Sequence, residues 1–298
     1  MLRTSAVLIT VAAIAIGACS SAKSDSGRPL VVATTNVLGD VAGNVAGDRA
    51  DVEVLMPIGA SPHEFVPSSR QVAMIYKADL VVANGLGLEG GLADVLGAAM
   101  DDGVNVLEVA PHLEPMPLAD GDELDPHVWM DPIRMKDAAD AIAGRLFRID
   151  GNEAWQAHAD AYSAELDLAD RRIETLLAPV TAERRTLVTN HDSLGYFADR
   201  YGFAIIGTVV PGSTSIGEPS SAELAELVAT IEGEQVPAIF VESSEPQALA
   251  EVVAAESGSA VAIVELFTGS LAEKGRPGDT LIGMLLVDAE RIATALGP

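Results

Sequence analysis

The sequence predicts an α/β protein with two (β/α)4-type lobes, mainly parallel sheets and one long helix between the lobes. The first observation is an alternation of short β-rich runs with helix-period segments, which occurs twice along the chain. The second is a continuous helical pattern over residues 153–178, between the two series. The third is that the residues best suited to bind a metal follow strand-like runs, where ligands of open α/β sheets are found.

Short runs rich in Val, Ile, Leu and Ala are the predicted strands. The N-terminal lobe, predicted over residues 30–152, contains Leu30–Thr34, Val52–Met56, Leu80–Asn84 and Val104–Val109. The C-terminal lobe, predicted over residues 179–298, contains Thr186–Asn190, Ala204–Val210, Ala238–Glu242 and Val261–Leu266. Each run is followed by a loop and usually by a helical segment, which favours parallel pairing within each lobe.

The segment 153–178 contains neither Gly nor Pro and predicts one linking helix. Its apolar residues are spaced by sevens, fours and threes, as an amphipathic helix requires: Trp155, Tyr162, Leu166, Ala169, Ile173 and Leu176. At 1.5 Å per residue the helix would be roughly 40 Å long, enough to run the height of both lobes. A single helix of this kind would restrict hinge motion between the lobes.

The start of the chain has the layout of a secretory signal peptide, predicted over residues 1–18. Arg3 precedes an apolar run over 6–16, and small residues then lead to Cys19, the only cysteine. This resembles the lipobox of bacterial lipoproteins, so we expect cleavage before Cys19, lipidation of that cysteine and a flexible tether over 19–29. The protein would then be exported and anchored to the outer face of the cytoplasmic membrane. The alternative is an ordinary signal peptide with an incidental cysteine.

Composition excludes several classes of partner. The formal net charge of −26 argues against binding to nucleic acid and against electrostatic adsorption to anionic lipid. Aromatic residues are only 4% of the chain, which leaves few stacking surfaces for an organic ligand.

Four potential metal ligands lie at junctions between strands and helices: His63, His127, His191 and Asp279. Two fall in each predicted lobe, at the sheet edges that would face a cleft between the lobes. Imidazoles with a carboxylate suit a borderline divalent metal such as zinc. The fold would therefore assemble a metal site in the interlobe cleft from residues far apart in sequence.

Other interpretations of these residues stay open from sequence alone. Each histidine has a structural alternative, either as a solvated loop residue or as a locally hydrogen-bonded one. A carboxylate before a helix, such as Asp279, is usually an N-cap. Three glutamates compete with Asp279 for the carboxylate role: Glu242, Glu245 and Glu265. Asp125 or Asp131 is expected to accept the second ring N–H of His127, whereas His112 and His158 are not expected to take part.

Several motifs together resemble the zinc/manganese solute-binding lipoproteins of bacterial ABC importers (metal-binding cluster A-I type). They are Gly59–Phe65 (GASPHEF), Lys77–Gly85 (KADLVVANG), Leu86–Glu89 (LGLE), Asp125–Pro132 (DPHVWMDP), His191–Phe197 (HDSLGYF) and Gly217–Ser220 (GEPS). The resemblance implies two lobes joined by a rigid helix, with one metal ion between them. It also implies His63 and His127 as ligands, His191 at the variable third position, and Asp279 as the fourth.

The resemblance further implies a monomer that captures a divalent metal and delivers it to the membrane permease of an ABC importer. Histidine at the third position favours Zn(II), while the lack of a His-rich loop in the acidic segment 114–125 keeps Mn(II) as the alternative. Three neutral imidazoles and a carboxylate would leave no open position for an activated water, so we expect no enzyme activity. Protonation of the histidines should weaken binding below about pH 6.

Two other functions compete with metal transport. One is a secreted zinc hydrolase using Asp279 as base, although the chain has no His-Glu-x-x-His segment. The other is an adhesin, or cell adhesion lipoprotein, whose metal only stabilises the fold.

Overall fold

Two parallel sheets of four strands each form the framework of the protein. The computed structural model describes residues 27–118, 123–212, 219–258 and 260–297. The first sheet has the order β2-β1-β3-β4 and contains β1 (Leu30–Ala33), β2 (Asp51–Val54), β3 (Leu80–Ala83) and β4 (Val106–Glu108). The second repeats that order as β6-β5-β7-β8 and contains β5 (Thr186–Thr189), β6 (Ala204–Thr208), β7 (Ala238–Glu242) and β8 (Ala262–Leu266).

The described residues also form nine α-helices, which cover both faces of each sheet. The first lobe contains α1 (Asn36–Ala46), α2 (Ser69–Ile75), α3 (Ala93–Asp101) and α4 (Arg134–Asp150). The linking helix is α5 (Ala154–Leu177), and the second lobe contains α6 (Gly195–Tyr201), α7 (Ser221–Glu234), α8 (Ala248–Glu256) and α9 (Leu281–Leu296).

Local sequence signals explain where several of these helices begin and end. Ser68 with Gln71 and Ser220 with Glu223 form reciprocal capping boxes at the starts of α2 and α7. Gly151 ends α4 in the left-handed conformation that glycine adopts without a Cβ penalty. These signals bring α4 to an end directly before α5, so the two helices pack side by side.

One hydrophobic core runs through both lobes along the linking helix. It joins apolar side chains of the first sheet, the second sheet and α5, including Val31, Leu80, Leu187, Phe240, Leu166 and Ile173. Two smaller cores lie on the opposite face of each sheet, under α2 and α3 in the first lobe and under α7 and α8 in the second. Because close-packed interiors transmit displacement rather than absorb it, the shared core fixes the two sheets relative to each other.

All eight predicted strands and the linking helix are present, which confirms the predicted fold class. The strand bounds differ from the prediction by at most two residues, as at β4, which begins at Val106 instead of Val104. The Val104 N–H donates to the Ala99 carbonyl oxygen at 2.9 Å, so this residue still belongs to the turn that closes α3.

The predicted signal peptide over 1–18 and the predicted lipidation site Cys19 lie outside the described residues. Within the described ranges, none of the helices combines the length and the apolar character needed to cross a membrane.

Two leucines on α5 provide a matched test of the shared core. Leu166 is fully buried, whereas Leu168 is 61% exposed on the same helix. We expect Leu166→Ala to lower the free energy of unfolding by about 2–5 kcal/mol, because it leaves a cavity between the lobes. Leu168→Ala should change it by no more than about 0.5 kcal/mol. Urea unfolding of both variants measures this, and equal losses would contradict a core that passes beneath α5.

Candidate metal site

Three of the four predicted ligands meet in the cleft between the lobes. One ligand atom from each of His63, His127 and His191 lies within 4.8 Å of the others. All three side chains are buried, at 5%, 1% and 0% exposure respectively. The histidines come from both lobes, so the site exists only when the two sheets face each other.

The carboxyl ends of the strands position these histidines. His63 lies in the loop after β2, and His127 begins the short 3-10 turn over Val128–Met130 that follows β4. His191 comes two residues after the end of β5. Its carbonyl oxygen accepts hydrogen bonds from the Thr189 hydroxyl at 2.9 Å and from the Ser193 N–H at 2.8 Å. In the second sheet the strand order reverses between β5 and β7. Open α/β sheets bind their ligands at this kind of position.

The spacing of the imidazoles matches a metal ion rather than a packed aromatic cluster. The Nε2 atoms of His63 and His127 are 3.3 Å apart. Two nitrogen ligands about 2.0–2.1 Å from a tetrahedral ion lie roughly 3.3–3.4 Å apart, so this pair already spans one tetrahedral edge. The three ring centroids lie 5.3 to 5.5 Å from one another. One ring nitrogen of each histidine lies within 4.8 Å of the others, so small side-chain movements would bring all three to one ion.

Asp125 fixes the orientation and tautomer of His127. One oxygen, Oδ1, accepts the Nδ1–H of His127 at 2.8 Å and its backbone N–H at 2.9 Å. Because an ionised carboxylate only accepts hydrogen bonds, Nδ1 carries the proton and Nε2 is free to bind a metal. The loop is also held by the Asn84 side chain, whose Nδ2 donates to the Pro126 carbonyl oxygen at 2.9 Å. Of the two predicted partners, Asp125 is the one that holds His127.

His191 is buried with neither ring nitrogen hydrogen-bonded. A buried polar atom without a partner costs free energy, and such atoms mark strained or functional positions. The Glu242 carboxylate is close by, with its Oε2 3.7 Å from His191 Nε2. A metal ion bound at one of these nitrogens would supply the missing interaction.

Burial keeps these imidazoles neutral. Desolvation, with a smaller contribution from neighbouring histidines, lowers the pKa of His63 and of His191 from the ordinary 6.5 to about 3. Metal binding needs the neutral form, so these two ligands are ready to bind across the ordinary pH range. The expectation that affinity falls below about pH 6 assumed ordinary imidazoles. Because burial lowers the pKa of His63 and His191, protons compete with a metal for these two side chains only at lower pH.

The structure does not bring Asp279 to the histidines. Its Oδ2 accepts the backbone N–H of Gly275 at 2.7 Å in an exposed turn. The chain reverses direction before it reaches this residue, because the Ala272 N–H donates to the Gly278 carbonyl oxygen at 2.9 Å. Asp279 thus stabilises the turn that leads into α9, and its role as the fourth ligand stays a prediction.

Among the competing glutamates, Glu242 lies beside the histidines. It ends β7, the strand adjacent to the one that precedes His191, and it is 3% exposed. Glu265 is exposed on β8, where its Oε2 accepts from the Gln247 side chain at 3.2 Å. The sequence signal for Glu242 was its position at the end of a fully buried strand.

Hydrogen bonds between the lobes close the cleft over the site. The Trp129 indole N–H donates to the Thr268 carbonyl oxygen at 2.8 Å, and the Tyr196 hydroxyl donates to the Asp125 carbonyl oxygen at 2.7 Å. The Asn36 side chain donates from Nδ2 to the Ser270 hydroxyl at 3.0 Å. The loops that carry the ligands are therefore tied to the opposite lobe.

The lowered pKa values predict how the stability of the metal-free protein depends on pH. Between about pH 6.5 and pH 3, unfolded His191 binds a proton that the folded residue does not. As the pH is lowered through this window, the free energy of unfolding should therefore decrease by about 1.4 kcal/mol per pH unit for this group. We expect His191→Gln to flatten the profile by that amount, while His112→Gln, at an exposed position, leaves it unchanged. Chemical unfolding of metal-free protein between about pH 6 and pH 4 tests this, and identical profiles for His191→Gln and wild type would contradict it.

Comparison with known proteins identifies the family. The family model described as "Zinc-uptake complex component A periplasmic" matches residues 31–295. The manganese-binding lipoprotein MntA of Halalkalibacterium halodurans is 31% identical over 293 residues, covering 97% of this chain and 96% of that protein. The manganese ABC transporter substrate-binding lipoprotein PsaA of Streptococcus pneumoniae serotype 4 is 30% identical over 309 residues, covering 97% of each.

A solved structure agrees with this assignment. The periplasmic zinc binding protein TroA from Treponema pallidum superimposes with a TM-score of 0.85 at 30% identity, covering 91% of this chain and 100% of that one. The similarity thus spans both lobes and the linking helix. The chain belongs to the family of zinc-uptake complex component A periplasmic proteins, a family of solute-binding proteins rather than enzymes.

Proposed function

We propose that this protein captures one divalent transition metal ion outside the cytoplasm, zinc in preference to manganese, and delivers it to the permease of an ABC importer. The observation that carries the proposal is the buried group of three histidines drawn from both lobes. Family membership supports the transport role, since relatives are named as substrate-binding lipoproteins of ABC transporters.

The chemistry of the three side chains supports zinc. Imidazole nitrogens suit zinc, while manganese prefers carboxylate, carbonyl and water oxygens. The intrinsic affinity of such a site is also higher for zinc than for manganese in the general order of divalent metals. Relatives named for manganese keep Mn(II) as the second candidate, and an equal competition between the two metals distinguishes them.

Capture and release follow from burial of the site. His63 and His191 are already neutral, and the three imidazoles lie close together, so little reorganisation opposes binding. Release requires the histidines of one lobe to separate from those of the other. Since the lobes share one core along α5, we propose that the permease supplies the free energy for this distortion. Lipidation at Cys19 would keep the loaded protein beside the permease, on the outer face of the membrane.

Removal of one ligand tests the proposed function. We expect His127→Ala to weaken zinc binding by at least about 100-fold, because it removes both a ligand and the group oriented by Asp125. His112→Ala, which alters an exposed histidine, is the matched control and should keep wild-type affinity.

Competition with a chromogenic chelator measures both affinities, and circular dichroism checks that both variants are folded. Retention of wild-type zinc affinity by folded His127→Ala would overturn the site assignment. If a chelator removes the metal only when the protein unfolds, the metal has a purely structural role.

A further inference from the structure

Asp125 orients His127 within the first lobe, and a residue of the second lobe holds Asp125 in turn. We infer that Tyr196 is a positioning residue for the metal site, and that through its hydroxyl and the Asp125 main chain the second lobe sets the orientation of His127. The inference rests on the proposed function and adds to it a residue that acts on a ligand without contacting the metal.

The Tyr196 hydroxyl completes the base of a short antiparallel ribbon in the first lobe. Residues 116–118 pair there with residues 123–125, and the Asp125 N–H donates to the Met116 carbonyl oxygen at 2.8 Å. The hydroxyl takes the place of the return hydrogen bond between these two residues. It accepts from the Met116 N–H at 3.0 Å and donates to the Asp125 carbonyl oxygen at 2.7 Å. One hydroxyl thus satisfies two backbone groups and fixes the main chain of Asp125.

The first lobe surrounds the Tyr196 side chain, which is 1% exposed. Burial raises the pKa of its phenol to about 12, so the hydroxyl remains a donor across the ordinary pH range. The Arg134 guanidinium lies over the ring, 5.0 Å from its centroid, and donates from Nη1 to the Leu113 carbonyl oxygen at 2.6 Å. The first lobe therefore holds Tyr196 at its ring face as well as at its hydroxyl.

Gly195 brings the second lobe against the Asp125 carboxylate itself. A Cβ at position 195 would lie 2.6 Å from Asp125 Oδ2, so a side chain there would displace the carboxylate. The other oxygen, Oδ1, accepts both hydrogen bonds from His127. Asp125 is thus confined between the ligand that it orients and the backbone of the opposite lobe.

This arrangement makes the orientation of a first-lobe ligand depend on the closed arrangement of the lobes. Separation of the lobes would move Tyr196 and Gly195 away from Asp125 and free its carboxylate to turn. His127 would then lose the partner of its second ring nitrogen, and a histidine without that partner binds metal less tightly. Opening of the cleft would therefore weaken His127 as a ligand as well as move the histidines of the two lobes apart.

Two tyrosines of α6 provide a matched test. The Tyr201 hydroxyl is also buried, but it donates to Asp170 rather than to the ribbon. Measured by chelator competition, Tyr196→Phe should weaken zinc binding about 10-fold, while Tyr201→Phe should keep wild-type affinity. Wild-type affinity in folded Tyr196→Phe would overturn the inference, and so would equal losses in both variants, which would reflect general packing of α6.

Gly195→Ala reaches Asp125 by a different contact and serves if Tyr196→Phe does not fold. It should also weaken zinc binding about 10-fold, because it displaces the carboxylate that orients His127. Wild-type affinity in folded Gly195→Ala would contradict the dependence of His127 on the second lobe.

The tautomer of His127 separates a positioning residue from one that only stabilises the fold. Long-range proton–nitrogen NMR of the metal-free protein should show His127 with its proton on Nδ1 in wild type and in Tyr201→Phe. In Tyr196→Phe we expect a mixture with the form protonated on Nε2. An unchanged His127 tautomer in that variant would overturn the inference.

A double-mutant cycle tests whether Tyr196 acts through Asp125. Asp125→Ala should weaken zinc binding about 100-fold, and addition of Tyr196→Phe to it should weaken binding little further. Additive losses in the double variant would mean that Tyr196 acts on the site by another route, which would overturn the inference.

Failure of this inference is distinguishable from failure of the proposed function. If wild type binds zinc and His127→Ala does not, while Tyr196→Phe matches wild type in affinity and tautomer, only the positioning role is wrong. If wild type binds no divalent metal, the proposed function fails, and the tautomer of His127 in the metal-free protein still tests the role of Tyr196.

Discussion

The shared core along α5 is the constraint on which the rest of the structure depends. It packs one face of both sheets against the same helix, so the carboxyl ends of β2, β4, β5 and β7 are held at fixed separations. A site built from both lobes needs fixed separations, because a displacement of one sheet by about 1 Å would move apart ligands whose nitrogens are 3.3 Å apart. The same core opposes wide hinge opening.

Burial gives the site its chemistry. Removal of water from His63 and His191 lowers the pKa of each imidazole, so protons compete weakly with a metal there. His191 is left without a hydrogen bond, and Glu242 is buried without a basic partner among the residues described. These features destabilise the metal-free protein, and the divalent cation that we propose to bind here would relieve them. The lower stability of the metal-free protein would thus be offset when the ion binds, which couples folding stability to metal affinity.

The sequence predicted the framework and the three histidines that cluster between the lobes, while the carboxylate ligand stays a prediction. The strands and α5 were predictable because their signals are local: β-rich runs, helical spacing and an absence of Gly and Pro. His63, His127 and His191 were predictable because carboxyl ends of parallel strands converge. Asp279 stays a prediction, because a long loop precedes it after β8 and the path of that loop is set by distant contacts such as Ser270 with Asn36. Glu242 was one of three competing glutamates, and its place beside His191 follows from the pairing of β7 with β5.

Native mass spectrometry of the protein after dialysis against equal concentrations of zinc and manganese tests the central claim most directly. A site made of three buried imidazoles and one carboxylate predicts one zinc ion per chain and no bound manganese. Manganese occupancy would contradict the preference assigned to the imidazoles. A protein that emerges from this dialysis without metal would contradict the assignment of a metal site to this cleft.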